Sequence, residues 1–295
     1  MPNLLLRSPQ YKDTTASGML SAKLTISIDT GDGSGFVLRY TIIKNAINNV
    51  VVFDIAELCR DYIEHTFGDS NPAKTVSIST QITKYDAVDG TGNPTVESSV
   101  GDVGYDGYGK FTDTVTSSST AVGPTISGIT GTSLGTALQT NLDIYMPPNT
   151  SGYIPVSYGG GTVTFTGTDT TAPIGSPSRT FIIHRVCDTK FGSSKITFLN
   201  RFGALQEMYF FHKSTEDINT TSENYKRNIL NYATASYSAT DHQVQTFNIN
   251  AAKKTTLNTP YVTEGYNDAI EELMLREDVW LTQGSTTHPV TPSTK

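Results

Sequence analysis

Between Lys195 and Ser214 the sequence reads KITFLNRFGALQEMYFFHKS, which brings Asn200, Arg201, Gln206, Glu207 and His212 within reach of one tight turn. A glutamate and a histidine beside a guanidinium are the parts of a general acid–base site. The competing reading is a β-hairpin. Ile196 and Phe198 alternate before the turn, Met208 and Phe210 alternate after it, and Gly203 sits where the chain must reverse. On that reading Asn200, Arg201 and Gln206 are turn and rim groups, while Phe198, Met208 and Phe210 point into a core.

Other chemistry-bearing patterns are weaker. ISIDTGDG sets Asp29-Thr30-Gly31 after an apolar alternation, as in the active-site turn of aspartic proteases. That chemistry needs two carboxylates sharing one proton. No second such turn follows an apolar strand, and Asp32 stands where a small hydroxyl belongs. Asp29 with Asp32, and Asp102 with Asp106, offer oxygen ligands for calcium but lack the alternating acids and closing glutamate of an EF-hand; they read as Asp-Gly turns. The histidines at 65, 184, 212, 242 and 288 form no HxxxH or HxH pair, and His65 is expected on the solvent side of a helix end. Cys59 and Cys187 read as small buried hydrophobes, with a disulfide or paired thiol chemistry as the alternative. There is no GxSxG, Walker loop or GxGxxG after a strand, and SYGGGTVTF leads into a strand rather than a phosphate-holding helix. No catalytic, cofactor-binding or metal-binding residue is assigned, and neither enzymatic activity nor a cofactor is expected.

The elements that would position any site are mostly strands. Thr, Ser and Gly abound, and Tyr (15) outnumbers Phe (12) and Trp (1), which favours strands and turns. In the first third, 22–29 and 36–43 form a hairpin pattern around DTGDGSG, 49–55 is an apolar strand suited to burial on both faces, and 75–83 alternates again. Residues 54–67 show helical spacing of Ile55, Leu58, Cys59, Tyr62 and Ile63, with Asp54 and Glu57 as a capping box. From 114 to 180 the only charged residues are Asp143, Asp169 and Arg179. Short strands at 142–146, 152–158 and 161–167 make this an inserted, loop-rich β module, with a linker as the alternative. In the last third, 179–186, 242–250 and 254–259 read as strands. A helix is predicted over 263–275, with Thr263 as its N-cap and Tyr266, Ile270, Leu273 and Met274 on its buried side. The expected fold is mainly β, with β-sandwich-like domains and two short amphipathic helices. The expected units are 1–113, 114–180 and 181–295.

A net charge of −7, with basic runs no longer than pairs, argues against nucleic acid as the main partner. No segment approaches the length of apolar sequence that spans a membrane. The start MPNLLLRSPQ lacks the pattern of a secretory signal, so the chain is expected to be made, and to stay soluble, in a cytoplasm.

The C-terminal segments ITFLNRFGALQEMYFFHKSTEDI, HQVQTFNIN and LNTPYVTEGYNDAIEELMLREDVWL, with LRSPQY, LRYTIIKN and VVFDIAELCRDYI nearer the start, resemble virion structural proteins of tailed bacteriophages, notably those of marine myoviruses. The resemblance covers most of the chain outside 114–180 and brings no catalytic residues. Related chains continue past the Val-Trp and Pro-Val segments into another strand, which here is either lacking or supplied by a neighbouring subunit. The resemblance implies a virion component of the tail tip or baseplate, made in the host cytoplasm. Its partners would be copies of itself and other virion proteins, in cyclic oligomers or a larger complex. Phe202 and Trp280, if exposed, would be interface anchors.

Two alternatives remain within the binding class: a head–tail connector, and a carbohydrate- or receptor-binding module using Tyr145, Tyr153 and Tyr158. A polysaccharide hydrolase would need two carboxylates at fixed separation in a cleft, and nothing in the sequence marks such a pair.

Overall fold

The computed structural model describes residues 3–110, 115–118, 121–124, 137–157, 161–174, 179–187, 190–259 and 261–293. Ser21–Asp29 shows how sequence becomes sheet. Ala22, Leu24, Ile26 and Ile28 are all buried on one face, and Lys23, Thr25 and Ser27 lie on the other. At roughly 1.5–3 kcal/mol per fully buried large aliphatic side chain, that face fixes which way the strand turns.

It pairs antiparallel with Val37–Asn45 across the expected hairpin and with Thr75–Tyr85 on its other side. Val100–Tyr105 follows, and then Asn3–Leu5 in parallel; Pro94–Val96 lies against the far part of Thr75–Tyr85. A second sheet runs in the order Val50–Asp54, Tyr11–Thr15, Ala121–Pro124, Val115–Ser118. Leu24, Ile26, Ile28 and Ile78 from the first sheet meet Val51, Phe53 and Ile55 from the second in one core, a β-sandwich.

The second core is built from the rest of the chain. Asp143–Met146, Arg179–Arg185 and Thr171–Ile174 form one sheet, and Gly152–Ser157 pairs with Gly161–Phe165. Leu205–Phe210, Ser194–Leu199, Val279–Gln283 and Thr286–Pro289 form another. Ile154, Phe165 and Phe181 share this core with Phe198, Met208 and Leu273. The described strands of the 114–180 segment thus pair into different sheets. Its strands at 115–118 and 121–124 join the N-terminal sandwich, and residues from 137 onwards pack with the C-terminal third.

The protein is mainly β with two short helices, and the first is much shorter than its periodicity suggests. The first is Ala56–Arg60. Asp54 Oδ1 does accept from the Ala56 N–H at 3.1 Å, but the chain turns away after Arg60. Arg60 and His65 both reach the carboxylate of Asp106; in a continuous helix they would point roughly 140° apart. The second begins as a 3₁₀ turn, Glu264–Tyr266, and continues as Asn267–Met274. Thr263 stands at its N-cap position as expected, but its hydroxyl makes no capping bond and donates to Asp143 Oδ2 at 3.0 Å. Val50–Asp54 buries Val51 and Phe53 but exposes Val50 and Val52, because its sheet is covered on one face only.

The largest departure from expectation is a ribbon. The segments 242–250 and 254–259 are not two strands. Val244–Thr256 is one, and it pairs along its whole length with Thr215–Lys226, a strand with no period-2 signal. At about 3.4 Å per residue the ribbon is about 40 Å long. Every residue of Thr215–Lys226 is exposed, and only the foot of Val244–Thr256 and Gln245 are less so.

These two environments predict different costs. Phe198→Ala, in the core, is expected to lower unfolding free energy by about 3–5 kcal/mol. Ile218→Ala, on the ribbon, should cost the monomer under about 0.5 kcal/mol. Urea unfolding at low protein concentration measures both, and equal losses would contradict the assignment.

Candidate functional site

The turn between Leu199 and Leu205 is a structural joint. Asn200 is fully buried: its Oδ1 accepts from the N–H groups of Phe202 (3.1 Å) and Ala204 (3.2 Å). Its Nδ2 donates to the Leu138 carbonyl (2.6 Å) and to Gln206 Oε1 (3.1 Å). Gln206 Nε2 in turn donates to Asn141 Oδ1 at 2.9 Å. The N–H of Arg201 donates to Glu272 Oε2 at 3.1 Å, and Thr140 Oγ1 donates to Glu272 Oε1 at 2.6 Å.

Asn200 and Arg201 do lie in the turn, but they and Gln206 are buried and not rim groups. Asn200 satisfies the turn's backbone where three segments meet, as a buried turn requires, and Gln206 links it to Asn141. Burial holds the Glu272 carboxyl above its ordinary range, with the bonds from Thr140 and Arg201 opposing that. All its oxygens are engaged in holding the fold.

Asp106 lies against this turn. Gly203 has φ +73°, and a Cβ there would sit 2.9 Å from the Asp106 carbonyl carbon, so only glycine fits. The Asp106 carboxylate takes a two-pronged contact from Arg7, 2.7 Å at Nε and 2.9 Å at Nη2. Arg60 Nε stands at 3.4 Å and His65 Nε2 at 3.6 Å. Arg7 also reaches Glu277 and Asp278. Arg276, whose pKa burial lowers to about 10 with nearby Arg7 adding to the effect, donates to the Asn200 carbonyl and packs over the Tyr108 ring at 4.7 Å.

The side chain of His65 is only 2% exposed, so its expected place on a solvent-facing helix end is corrected: the unwinding after Arg60 turns it inward. The cleft beside it, about 380 Å³, is lined by Arg7, Arg60 and His65 and by the four acids Asp61, Glu64, Asp106 and Asp278. Arg7 and Arg60 both pair with Asp106 there, so the cleft is the open side of an ion-pair network.

Asp106 does stand at a turn before Gly107, closed by the Gly107 N–H donating to the Tyr105 carbonyl at 2.8 Å, whereas Asp102 lies within the strand Val100–Tyr105. Asp102 is buried and meets Lys12 Nζ at 2.5 Å across the sandwich, and burial pushes its carboxyl up while Lys12 opposes that. Asp29 and Asp32 do cap their loop, accepting from the N–H groups of Gly31 and Ser34 at 2.8 Å each. Cys59 is buried, its thiol pushed up to about 12 by desolvation, whereas Cys187 is exposed and both are free thiols. Among the described residues no group of three or more His, Cys, Asp or Glu side chains could hold a metal ion. No helix among them is long and apolar enough to cross a membrane.

The surface is where unassigned features collect. Phe202, expected as an interface anchor, is 8% exposed and packs with Ala73, Leu138 and Ala204; the turn folds it inward. Trp280 is half-buried beside Phe67, with ring centroids 6.0 Å apart, and Phe67 is the exposed member. Tyr145 is buried, stacked on His184 at 4.4 Å and edge-on to Tyr266, so its ring faces are not open to a sugar. Tyr153 is half-buried, and Tyr158 lies outside the described residues.

The ribbon is the opposite case. Ile218, Ile249 and Phe247 are 66%, 65% and 64% exposed, and Tyr232 and Tyr237 stand out from the loop at its far end. At its foot lies an apolar groove of about 840 Å³ walled by Phe210, Leu257, Leu273, Val279 and Leu281. Sequence reasoning found most of Val244–Thr256 but missed Thr215–Lys226, because a strand exposed on both faces has no alternation to read. No family model, curated protein or solved structure matches this chain.

The ion-pair network yields two predictions. Asp106→Ala should cost about 3 kcal/mol, because it removes the closest acid from the largely covered Arg7, as measured by urea unfolding. Burial lowers the His65 pKa below its ordinary 6.5. The unfolded chain therefore binds a proton that the folded chain refuses, and stability rises with pH through that range. Stability should fall as pH drops from about 7 to about 5, and His65→Gln should flatten that slope. An unchanged slope in the variant would contradict the assignment.

Proposed function

We propose that this chain is a structural component of a tailed-phage virion, placed in the tail tip or baseplate, and that it acts by packing against other subunits. The observation that carries the reading is the ribbon. A two-stranded ribbon with both faces in water is marginal by itself, and its edges are pairing templates that a monomer would ordinarily cover or blunt. In an assembly the same features are contact surfaces. Ile218, Phe247 and Ile249 are apolar groups held away from the body, where their burial awaits a neighbour. Asn200, Gln206 and Asp106, which looked like chemistry in the sequence, are consumed in holding the body together, which also supports a role through surfaces. The resemblance of the sequence to virion structural proteins points the same way.

A second reading, a receptor-binding module, is favoured by one feature: the exposed Tyr232 and Tyr237 at the ribbon's far end. Aromatic side chains at an exposed tip suit recognition.

Density-gradient fractionation of a culture that produces the chain, followed by mass spectrometry, tests the proposal. The expected outcome is that the chain sediments with tailed particles, in a fixed ratio to their other proteins. A chain found only outside the particles would overturn it.

A further inference from the structure

We propose that the outer edge of Thr215–Lys226 pairs antiparallel with the same edge of a second copy, centred on Thr221, so that two ribbons become one four-stranded sheet. The inference rests on the reading that the chain works by subunit packing, and it names the partner and the register.

The ribbon's strands pair with each other, and among the described residues each leaves its other edge unpaired. The two edges differ. Val244–Thr256 is interrupted at Phe247, where the register shifts, and carries Lys253 and Lys254 with no acidic residue along its length. Laid against its own copy it gains no opposite charge, and the irregularity twists it away from pairing. Thr215–Lys226 contains no extra residue. It begins with Glu216-Asp217 and ends at Lys226, followed by Arg227.

That order is self-complementary. With Thr221 on a twofold axis normal to the sheet, Glu216 of each copy stands opposite Lys226 of the other, and Asp217 lies diagonal to Arg227. A twofold of this kind keeps each sheet face on its own side, so directly opposed residues must have the same parity. Glu216 and Lys226 do. The contact is isologous, and every favourable pair occurs twice. Glu216 already meets Lys253 of its own ribbon at 2.8 Å, but both side chains are about half exposed, so the carboxylate can also engage a second cation.

Charge also selects this geometry over a side-by-side one. Between residues 215 and 256 four acidic side chains are matched by four basic ones, so the −7 of the chain belongs to the body. Antiparallel ribbons centred on Thr221 hold the two feet about 40 Å apart. That is several screening lengths at physiological salt, about 8 Å each. A parallel arrangement would bring the acidic bodies together. The pairing uses one edge and leaves the remaining surfaces free for a larger assembly.

Crosslinking tests the register in the full chain, with Cys187→Ser removing the exposed thiol. Thr221→Cys is on the axis, where opposed Cα atoms fall within disulfide range, and mild oxidation should convert it to a covalent dimer. Tyr225→Cys is the control, since its two copies would be about 27 Å apart and should stay uncrosslinked.

Sedimentation tests the charges. Lys226→Glu should weaken association about tenfold, and adding Glu216→Lys in the same chain should restore most of it. Equal crosslinking at both positions, or no rescue by the double variant, would overturn the pairing. So would an intact chain that is monomeric at about 100 µM. Association that persists regardless of the ribbon charges would sink this pairing while leaving the packing reading intact. That reading fails separately, through the particle fractions.

Discussion

The carboxylate of Asp106 is the contact on which the body of this protein depends. It lies where the N-terminal sandwich meets the C-terminal sheets, held by Arg7 from the turn after the first strand and approached by Arg60 and His65. Gly203 of the 200–204 turn lies directly against its backbone. Taking such charges out of water costs several kcal/mol per ion and is tolerated only when each is answered at close range. Local features follow from that requirement. The first helix stops after five residues so that His65 can turn inward, and the turn contains a glycine because nothing larger clears Asp106. Asn200, Gln206 and Asn141 form the second half of the same joint, satisfying a reversal that would otherwise bury bare carbonyls and amides.

A body locked in this way makes the ribbon stand out by contrast. Inside the body, polar side chains are spent on neighbours within the chain, and apolar ones face two cores. On the ribbon, isoleucine and phenylalanine face water and two backbone edges have no partner among the described residues. The same chain therefore contains a rigid unit and an element whose pairing is incomplete. That division is what the proposed subunit packing would use, with a folded body and a ribbon that would gain its remaining order on contact.

Strands buried on one face were legible in the sequence because burial imprints a period of two; Ser21–Asp29 and the hairpin of Ser194–Leu199 with Leu205–Phe210 are the clearest cases. Helix existence was legible, but helix length was not, since periodicity continues past Arg60 while the ion pairs that end the helix come from residues far away in the chain. Asn200 and Gln206 were misplaced for a related reason. A polar residue beside a glycine turn reads as solvent-facing unless one knows that Leu138 and Asn141 arrive to cover it. Thr215–Lys226 left no trace, because Thr, Asn, Ser and Glu exposed on both faces carry neither period. The self-complementary order of Glu216-Asp217 and Lys226-Arg227 was present in the letters throughout, and it acquired meaning only once the two ends were known to share one edge.

Hydrogen–deuterium exchange along the ribbon, followed as the protein is concentrated, addresses the account most directly. Exchange reports local opening, and core strands such as Ser194–Leu199 should remain protected at every concentration. Amides of Thr215–Lys226 should exchange quickly in dilute solution and become protected as copies meet. If those amides are as protected in dilute solution as the core strand, the ribbon is complete by itself and the account is wrong.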